Sequence, residues 1–245
     1  MADELRDLVG LTTRYLAQQG ELGERELYLT EGNRPRRGVE HQVGAERRLT
    51  RLGGRVRSCT RCGLSRTRTQ VVFGAGSAEA KLVFVGEAPG RDEDLAGAPF
   101  VGAAGRLLTK IIESIGFRRD MVYITNILKC RPPENRNPLP EEIACCCPHL
   151  DMQLDIISPL VICTLGTFAS QTLLGTTLPI SSLRGRVWDC RGTMLVPTYH
   201  PAALLRNPGW KRRVWEDVQL LRRVYDDLVA GRIPRGALKA PLTPE

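Results

Sequence analysis

Aromatic side chains make up only 5% of this 245-residue chain, too few for a broad stacking platform that holds single strands without regard to sequence. Long apolar runs are absent too: none reaches eighteen residues, so no membrane-spanning helix is expected. The start, MADELRDLVG, has acids where a secretory leader has a basic segment and an apolar stretch. A soluble, cytoplasmic protein without membrane contact is the expectation. The G-x-x-x-x-G-K-[ST] pattern of a phosphate loop is missing, and with it the lysine that such a loop needs. Cysteine, by contrast, is plentiful, with eight in the chain. A reducing cytosol keeps thiols free, so these eight are not read as a disulfide framework but as metal or cluster ligands, or as buried small apolar residues.

The formal charge is +8, with 35 basic against 27 acidic residues, a balance that suits a polyanionic partner. Residues 1–55 differ in composition from the rest of the chain. A short amphipathic segment around Leu5–Leu22 precedes a Gly- and Arg-rich stretch, Glu31–Arg57, with eight Arg against three Glu. That composition reads as an N-terminal extension on a mobile linker, with a main domain over 56–230 and a tail over 231–245.

From Lys81 the pattern alternates. KLVFVG (81–86) is a short apolar strand ending in glycine, residues 103–115 carry apolar side chains at helical spacing, and MVYITNI (121–127) is a second strand. Pro140 with Glu141 and Glu142 opens a helix, where a first-turn proline and acids suit the dipole. Residues 159–165 give a third strand and 167–174 a helix. Residues 187–190 and 193–198 flank Arg191-Gly192 as a hairpin, and a last helix runs from about Asn207 to Val229. The fold class is therefore α/β: a three-layer α/β/α domain with a central, mainly parallel four-stranded sheet, plus the N-terminal extension. In such sheets ligands bind beyond the carboxyl ends of the strands. The segments Gly86-Glu87-Ala88-Pro89-Gly90, Asn126 to Cys130, Leu165-Gly166 and Tyr199-His200-Pro201 should converge on one cleft.

Cys59-Thr60-Arg61-Cys62 is a C-x2-C knuckle, and Cys130 lies just past a strand end, with Cys145, Cys146 and Cys147 on the following helix. Such a set can close a tetrahedral zinc site or a [4Fe–4S] cluster, and spacing alone does not choose between them. On the helix, Cys146 and Cys147 share the face of Ile143, Leu150 and Leu154, whereas Cys145 points away. Cys163 and Cys190 sit within strands, where packing is the better reading.

Several motifs, in order, carry a resemblance: Gly86-Glu87-Ala88-Pro89-Gly90 with Glu93; Pro99-Phe100-Val101-Gly102; Tyr123-Ile124-Thr125-Asn126 leading into Lys129-Cys130-Arg131-Pro132-Pro133; and His200-Pro201-Ala202-Ala203-Leu204-Leu205-Arg206-Asn207-Pro208. Over residues 56–228 the chain resembles the family 4 uracil-DNA glycosylases, whose members carry a [4Fe–4S] cluster; residues 1–55 inherit nothing from it. The resemblance implies hydrolysis of the N-glycosidic bond of flipped-out uracil by a monofunctional enzyme acting on single- or double-stranded DNA, expected as a monomer. It implies that Phe100 stacks on the base, Asn126 reads its amide edge, His200 donates toward O2, and Glu87 and Glu93 face the sugar. Cys59, Cys62, Cys130 and Cys146 match the cluster ligands.

Glu87 is the first choice for orienting or deprotonating the attacking water, with Glu93 as the alternative and Asn135 as a water-positioning partner. The resemblance implies that Ala88 and Gly90 line the base pocket. Gly90 carries no bulky group against the methyl of thymine, so Glu93 is also expected to help exclude that base. Pro201 stiffens the turn after His200 and places Leu204 near the pocket, where it is expected to enter the DNA stack as a wedge; the alternative is that Leu204 and Leu205 both pack in the core. Arg206, Lys211, Arg212 and Arg213 are expected to hold flanking phosphates. Two rival readings fit the residues less well. A base deaminase needs an H-x-E triplet, which the chain lacks. A non-catalytic iron–sulfur module would not require Glu87, Asn126 and His200 on three converging strand ends.

Overall fold

The computed structural model describes residues 40–232, 234 and 237–239. The amphipathic segment expected around Leu5–Leu22 lies outside them. Along the chain come helix α1 (Glu40–Arg57), strands β1 (Ala75–Gly76) and β2 (Leu82–Gly86), helices α2 (Arg91–Ala96) and α3 (Ala103–Ser114), and strand β3 (Tyr123–Asn126). Helix α4 (Pro140–Ile157), strand β4 (Val161–Leu165) and helices α5 (Thr167–Leu174) and α6 (Ile180–Leu183) follow. Strands β5 (Trp188–Cys190) and β6 (Thr193–Thr198), helices α7 (Pro201–Arg206) and α8 (Lys211–Val229), and strand β7 (Leu238–Lys239) complete it.

Every residue of β2, β3 and β4 is buried, as strands covered on both faces must be. They pair in parallel in the order β3-β2-β4-β6, the four-stranded centre expected from the sequence. Short edge strands extend it to seven: β1 runs antiparallel to β3, β5 antiparallel to β6, and β7 parallel to β5. The last of these lies in the segment expected to be a plain tail. Alternate strand residues feed two cores. Val83, Val85 and Ile162 pack toward α1, α4 and α5, and Leu82, Phe84 and Cys163 toward α3 and α8. The layering is α/β/α. Arg191 (φ 52°) and Gly192 (φ 81°) form the two-residue hairpin turn between β5 and β6, whose twist requires positive φ at both positions.

The Arg-rich linker expected over Glu31–Arg57 is corrected from Glu40 onward. Those residues form α1, and Ala45, Leu49, Leu52 and Val56 are buried in the core shared with α4. Their spacing of four, three and four residues is one helical stripe. Glycine content obscured it; at Gly53 the bare backbone fits against the ring of Phe73.

The wedge expected at Leu204 is also overturned. The turn after Pro201 is helical, so neighbouring residues point about 100° apart. Leu204 faces the core with 2% exposure, and Leu205 faces solvent with 50%. Leu204→Ala is accordingly expected to cost about 2–5 kcal/mol, and Leu205→Ala to stay within about 0.5 kcal/mol. Urea unfolding of both variants checks this; matching midpoints would contradict the assignment.

Candidate active site and cysteine cavity

Because β2 and β3 are in register, with Gly86 opposite Asn126 and Leu165 of β4 opposite Thr198 of β6, the parallel strands end level. The chain leaves β2 toward β3 on one side and later places β4 on the other. The carboxyl ends of β2 and β4 therefore flank a topological switch point, the usual position of a ligand crevice. Asn126 closes β3 with 1% exposure, and its Oδ1 is buried without a hydrogen-bond partner among the described residues. Such orphans are uncommon in folded proteins and suggest an absent partner. A Cβ at Gly86 would strike that Oδ1 and also approach Phe100 Cζ to 2.6 Å. Glycine here lets the Asn126 amide and the aromatic ring meet over the strand end.

Phe100 carries a left-handed backbone, φ 53°, which is costly for an aromatic residue. Two features hold it there. Arg119 Nη2 donates to the carbonyls of Pro99 (2.7 Å) and Phe100 (3.1 Å) while Nη1 reaches Thr109 Oγ1 (3.0 Å), and a Cβ at Gly105 would collide with the Phe100 carbonyl. The ring lies 5.5 Å from that of His200. Sequence reading missed Arg119, which sits in no motif.

His200 follows β6 and caps α7. Its Nδ1 accepts from Ala202 N at 3.1 Å, so the neutral ring carries its proton on Nε2. Burial lowers the His200 pKa to about 4, with repulsion from Arg206 adding to the shift and Glu93 opposing it. The imidazole is thus a neutral donor at physiological pH. Glu87, half-buried at the end of β2, has its pKa raised by burial, and no other described residue donates to its carboxylate.

Glu93 differs from the expectation. Its Oε1 accepts from Val101 N (2.9 Å) and Gly102 N (3.1 Å), and its Oε2 from Gly90 N (3.1 Å). Both oxygens are committed to tying the first loop to the Phe100 segment, so Glu93 is a positioning residue and not a second free carboxylate. Gly90 is the N-cap of α2 and touches Glu93, while Ala88 packs against the core. Asn135 stands exposed on a left-handed turn (φ 55°), its Oδ1 held by Arg131 Nε at 2.8 Å.

Beside α1 a cavity is lined by Cys59, Cys62, Cys130, Cys145, Cys146 and His149, with Arg68 and Lys129. The four cysteines singled out by sequence all reach it. Cys145, expected to point away, reaches it too, whereas Cys147 does not line it. Among the described residues, no three His, Cys, Asp or Glu side chains are grouped so as to hold a metal ion. The thiols ring a space; they do not converge on a point. Donors are aimed at the sulfurs: Arg68 Nη1 at Cys130 Sγ (3.2 Å) and Lys129 N at Cys146 Sγ (3.3 Å). His149 Nε2 lies 3.4 Å from Cys59 Sγ, and its Nδ1 is buried without a partner. Burial raises the Cys146 thiol to about 11 against the opposing charge of Lys129. Donors around sulfur favour thiolates, the form that binds metal. The cavity residues are therefore of the kind that fit a sulfur-ligated group. Arg68 and His149 had no sequence signal of their own; Lys129 had one, as a lysine between the apolar pair Ile127-Leu128 and a cysteine.

Past His200, Arg206 and Lys211 are exposed and make no ion pair among the described residues. Arg212 pairs with Glu216 at 3.5 Å, and Arg213 reaches Tyr199 OH at 3.4 Å. No helix among the described residues is long and apolar enough to cross a membrane.

Residues 73–219 match the model of the Uracil DNA glycosylase superfamily. Over 172 residues the chain is 50% identical to the Type-4 uracil-DNA glycosylase of Archaeoglobus fulgidus, which covers 66% of this chain and 85% of that protein. It is 45% identical over 185 residues to the Type-4 uracil-DNA glycosylase of Sulfurisphaera tokodaii, covering 72% of this chain and 84% of that one. To the enzyme of the same name from Thermotoga maritima it is 47% identical over 169 residues, covering 67% of this chain and 88% of the relative. With the level strand ends, the buried amide and the neutral imidazole in place, the chain belongs to the uracil DNA glycosylase superfamily and, within it, to the type-4 enzymes.

Proposed function

We propose that the chain hydrolyses the N-glycosidic bond of uracil in DNA and leaves an abasic site, and that the strand-end pocket carries the chemistry. The observation that supports this most is the buried, unpartnered Asn126 Oδ1 beside the Phe100 ring and the His200 donor. A base inside a duplex is out of reach and must be extruded at a cost of a few kcal/mol. Once in the pocket, uracil stacks on Phe100. Asn126 accepts from N3–H and donates to O4, and cytosine, which has an amino group at that edge, leaves the amide unpaired. Bond cleavage builds negative charge on the base oxygens and positive character on the sugar. His200 donates from Nε2 to the first, and the Glu87 carboxylate faces the second and orients the water; a pre-aimed donor of this kind is worth on the order of 10²–10³ in rate. Water is the acceptor, since Lys129, the fully buried lysine near the pocket, already has its ammonium bound to Asn126 O and Thr125 Oγ1.

Release of uracil from a single-uracil oligonucleotide, read by alkaline strand cleavage, tests the activity. Glu87→Gln is expected to slow the single-turnover rate by about 10²–10⁴. The carboxylate acts ionised and burial raises its pKa, so the wild-type rate should fall as pH drops through a point above the ordinary glutamate value, and Glu87→Gln should lose that limb. His200, at about 4, should add no inflection in the usual histidine range. Near-normal turnover by Glu87→Gln would sink the carboxylate role.

In this reading Leu205 takes the part expected of Leu204, while Arg206, Lys211, Arg212 and Arg213 hold flanking phosphates. Leu205→Ala should slow cleavage in duplex far more than in single strands, where little stacking is broken; equal losses on the two substrates would exclude a wedge.

The cysteine cavity is read as the seat of a [4Fe–4S] cluster on Cys59, Cys62, Cys130 and Cys146. These four cysteines, from the segment after α1, the loop after β3 and helix α4, would hold the cluster, which would supply iron–thiolate bonds, a structural contribution outside the glycosidic step. Anaerobically purified protein should be brown with about four iron atoms per chain, as that cluster type requires, and Cys146→Ser should lose them. Stoichiometric zinc in colourless protein would overturn the assignment, and full iron in Cys146→Ser would move the fourth ligand to Cys145.

A further inference from the structure

Three residues separate the base-reading Asn126 from the thiol of Cys130, and the last of them is Lys129. Its side chain is 1% exposed. The chain doubles back on itself here: Nζ donates to Asn126 O at 2.6 Å and to Thr125 Oγ1 at 2.7 Å. Meanwhile the Lys129 main chain faces the other way, with its N–H on Cys146 Sγ (3.3 Å) and its carbonyl accepting from Val72 N (2.8 Å). Among the described residues the ammonium makes no ion pair with a carboxylate, although it lies in a layer of apolar side chains and lines the cysteine cavity. A buried charge without a counter-ion is strongly unfavourable, and methionine or leucine would fill the same volume without that penalty. The charge is therefore kept for what it holds.

We propose that Lys129 is a positioning residue for uracil recognition: its side-chain nitrogen clamps the main chain at Asn126 by donating to the Asn126 carbonyl and to the neighbouring Thr125 hydroxyl. This rests on the pocket assignment above. Among the described residues the Asn126 Oδ1 has no partner to hold it before a base arrives, so its aim depends on its backbone. That backbone is fixed by the β2 ladder on one side and by the Lys129 ammonium at its carbonyl.

The test is a double-mutant cycle on the full-length protein with its iron, using Lys129→Met, Asn126→Ala and the pair. Lys129→Met should lower kcat/KM on uracil-containing single strands by about 10²-fold, the scale of a misplacement near 1 Å. In the Asn126→Ala background the same change should have little further effect, because residues acting through one another are non-additive. A merely structural role would lower the melting temperature but leave the two losses additive, and additivity would overturn the proposal. Thr125→Val covers the case in which Lys129→Met fails to fold. It removes one acceptor without touching the charge and should give a smaller loss, again coupled to Asn126; a full loss independent of Asn126 would count against the clamp. Wild-type turnover by Asn126→Ala would bring down the pocket assignment and this inference together.

Discussion

Two main-chain hydrogen bonds continue the β2–β3 ladder past the end of both strands: Ile127 N to Gly86 O and Leu128 N to Glu87 O, each 3.0 Å. The site depends on them. A parallel pair stops being a sheet where its loops diverge, yet here the loop bearing the carboxylate and the loop leading to Cys130 stay zipped for two more residues. Glu87 and Asn126 are thereby fixed by peptide geometry at the mouth of the sheet, on rigid backbone that side-chain packing alone would not supply. Everything outside this zip is bracing. Glu93 binds the first loop to the Phe100 segment, Arg119 holds Phe100 from behind, and Gly86 and Gly105 give up their side chains so that the backbones can approach.

One short acidic stretch shows how little residue type says about role. Glu87 is half-buried with no donor from another described residue, and burial raises its pKa. Glu93 has three backbone donors. Asp94, 2% exposed, accepts from the amides of Thr69 and Gln70 and anchors the segment after the cysteine knuckle. All three look alike as acids in a Gly/Pro loop. What separates them is whether backbone N–H groups have already satisfied the oxygens, and among the three Glu87 is the one left without them.

The parts legible in the sequence are those with a strong local period or a stereochemical requirement. LVFVG and VICTL are uninterrupted apolar runs that suit only strands covered on both faces, Pro140 marks a helix start, and Arg191-Gly192 supplies a two-residue turn. The placement of Gly86-Glu87, Asn126 and His200 at strand ends followed from topology. What stayed hidden depends on phase or on distant partners. Which of Leu204 and Leu205 is buried depends on whether the turn after Pro201 is helical. The stripe of α1 is diluted by arginine and glycine, and its burial is created by α4, far along the chain. Cys145 and Cys147 flank Cys146 symmetrically in the sequence, and only the placement of α4 against the knuckle selects which neighbour faces the cavity.

The pinned backbone of Phe100 has a thermodynamic consequence. A left-handed aromatic residue is an unfavourable local conformation, and its cost is met during folding by Arg119 and by the bare backbone of Gly105. The wall of the pocket therefore exists before any base enters, and little further conformational entropy is lost when one does. Under the proposed base-reading role, discrimination between pyrimidines would rest on whether the edge presented to a preset amide and imidazole matches, because a rigid slot has no looser arrangement in which a mismatched edge could be accommodated.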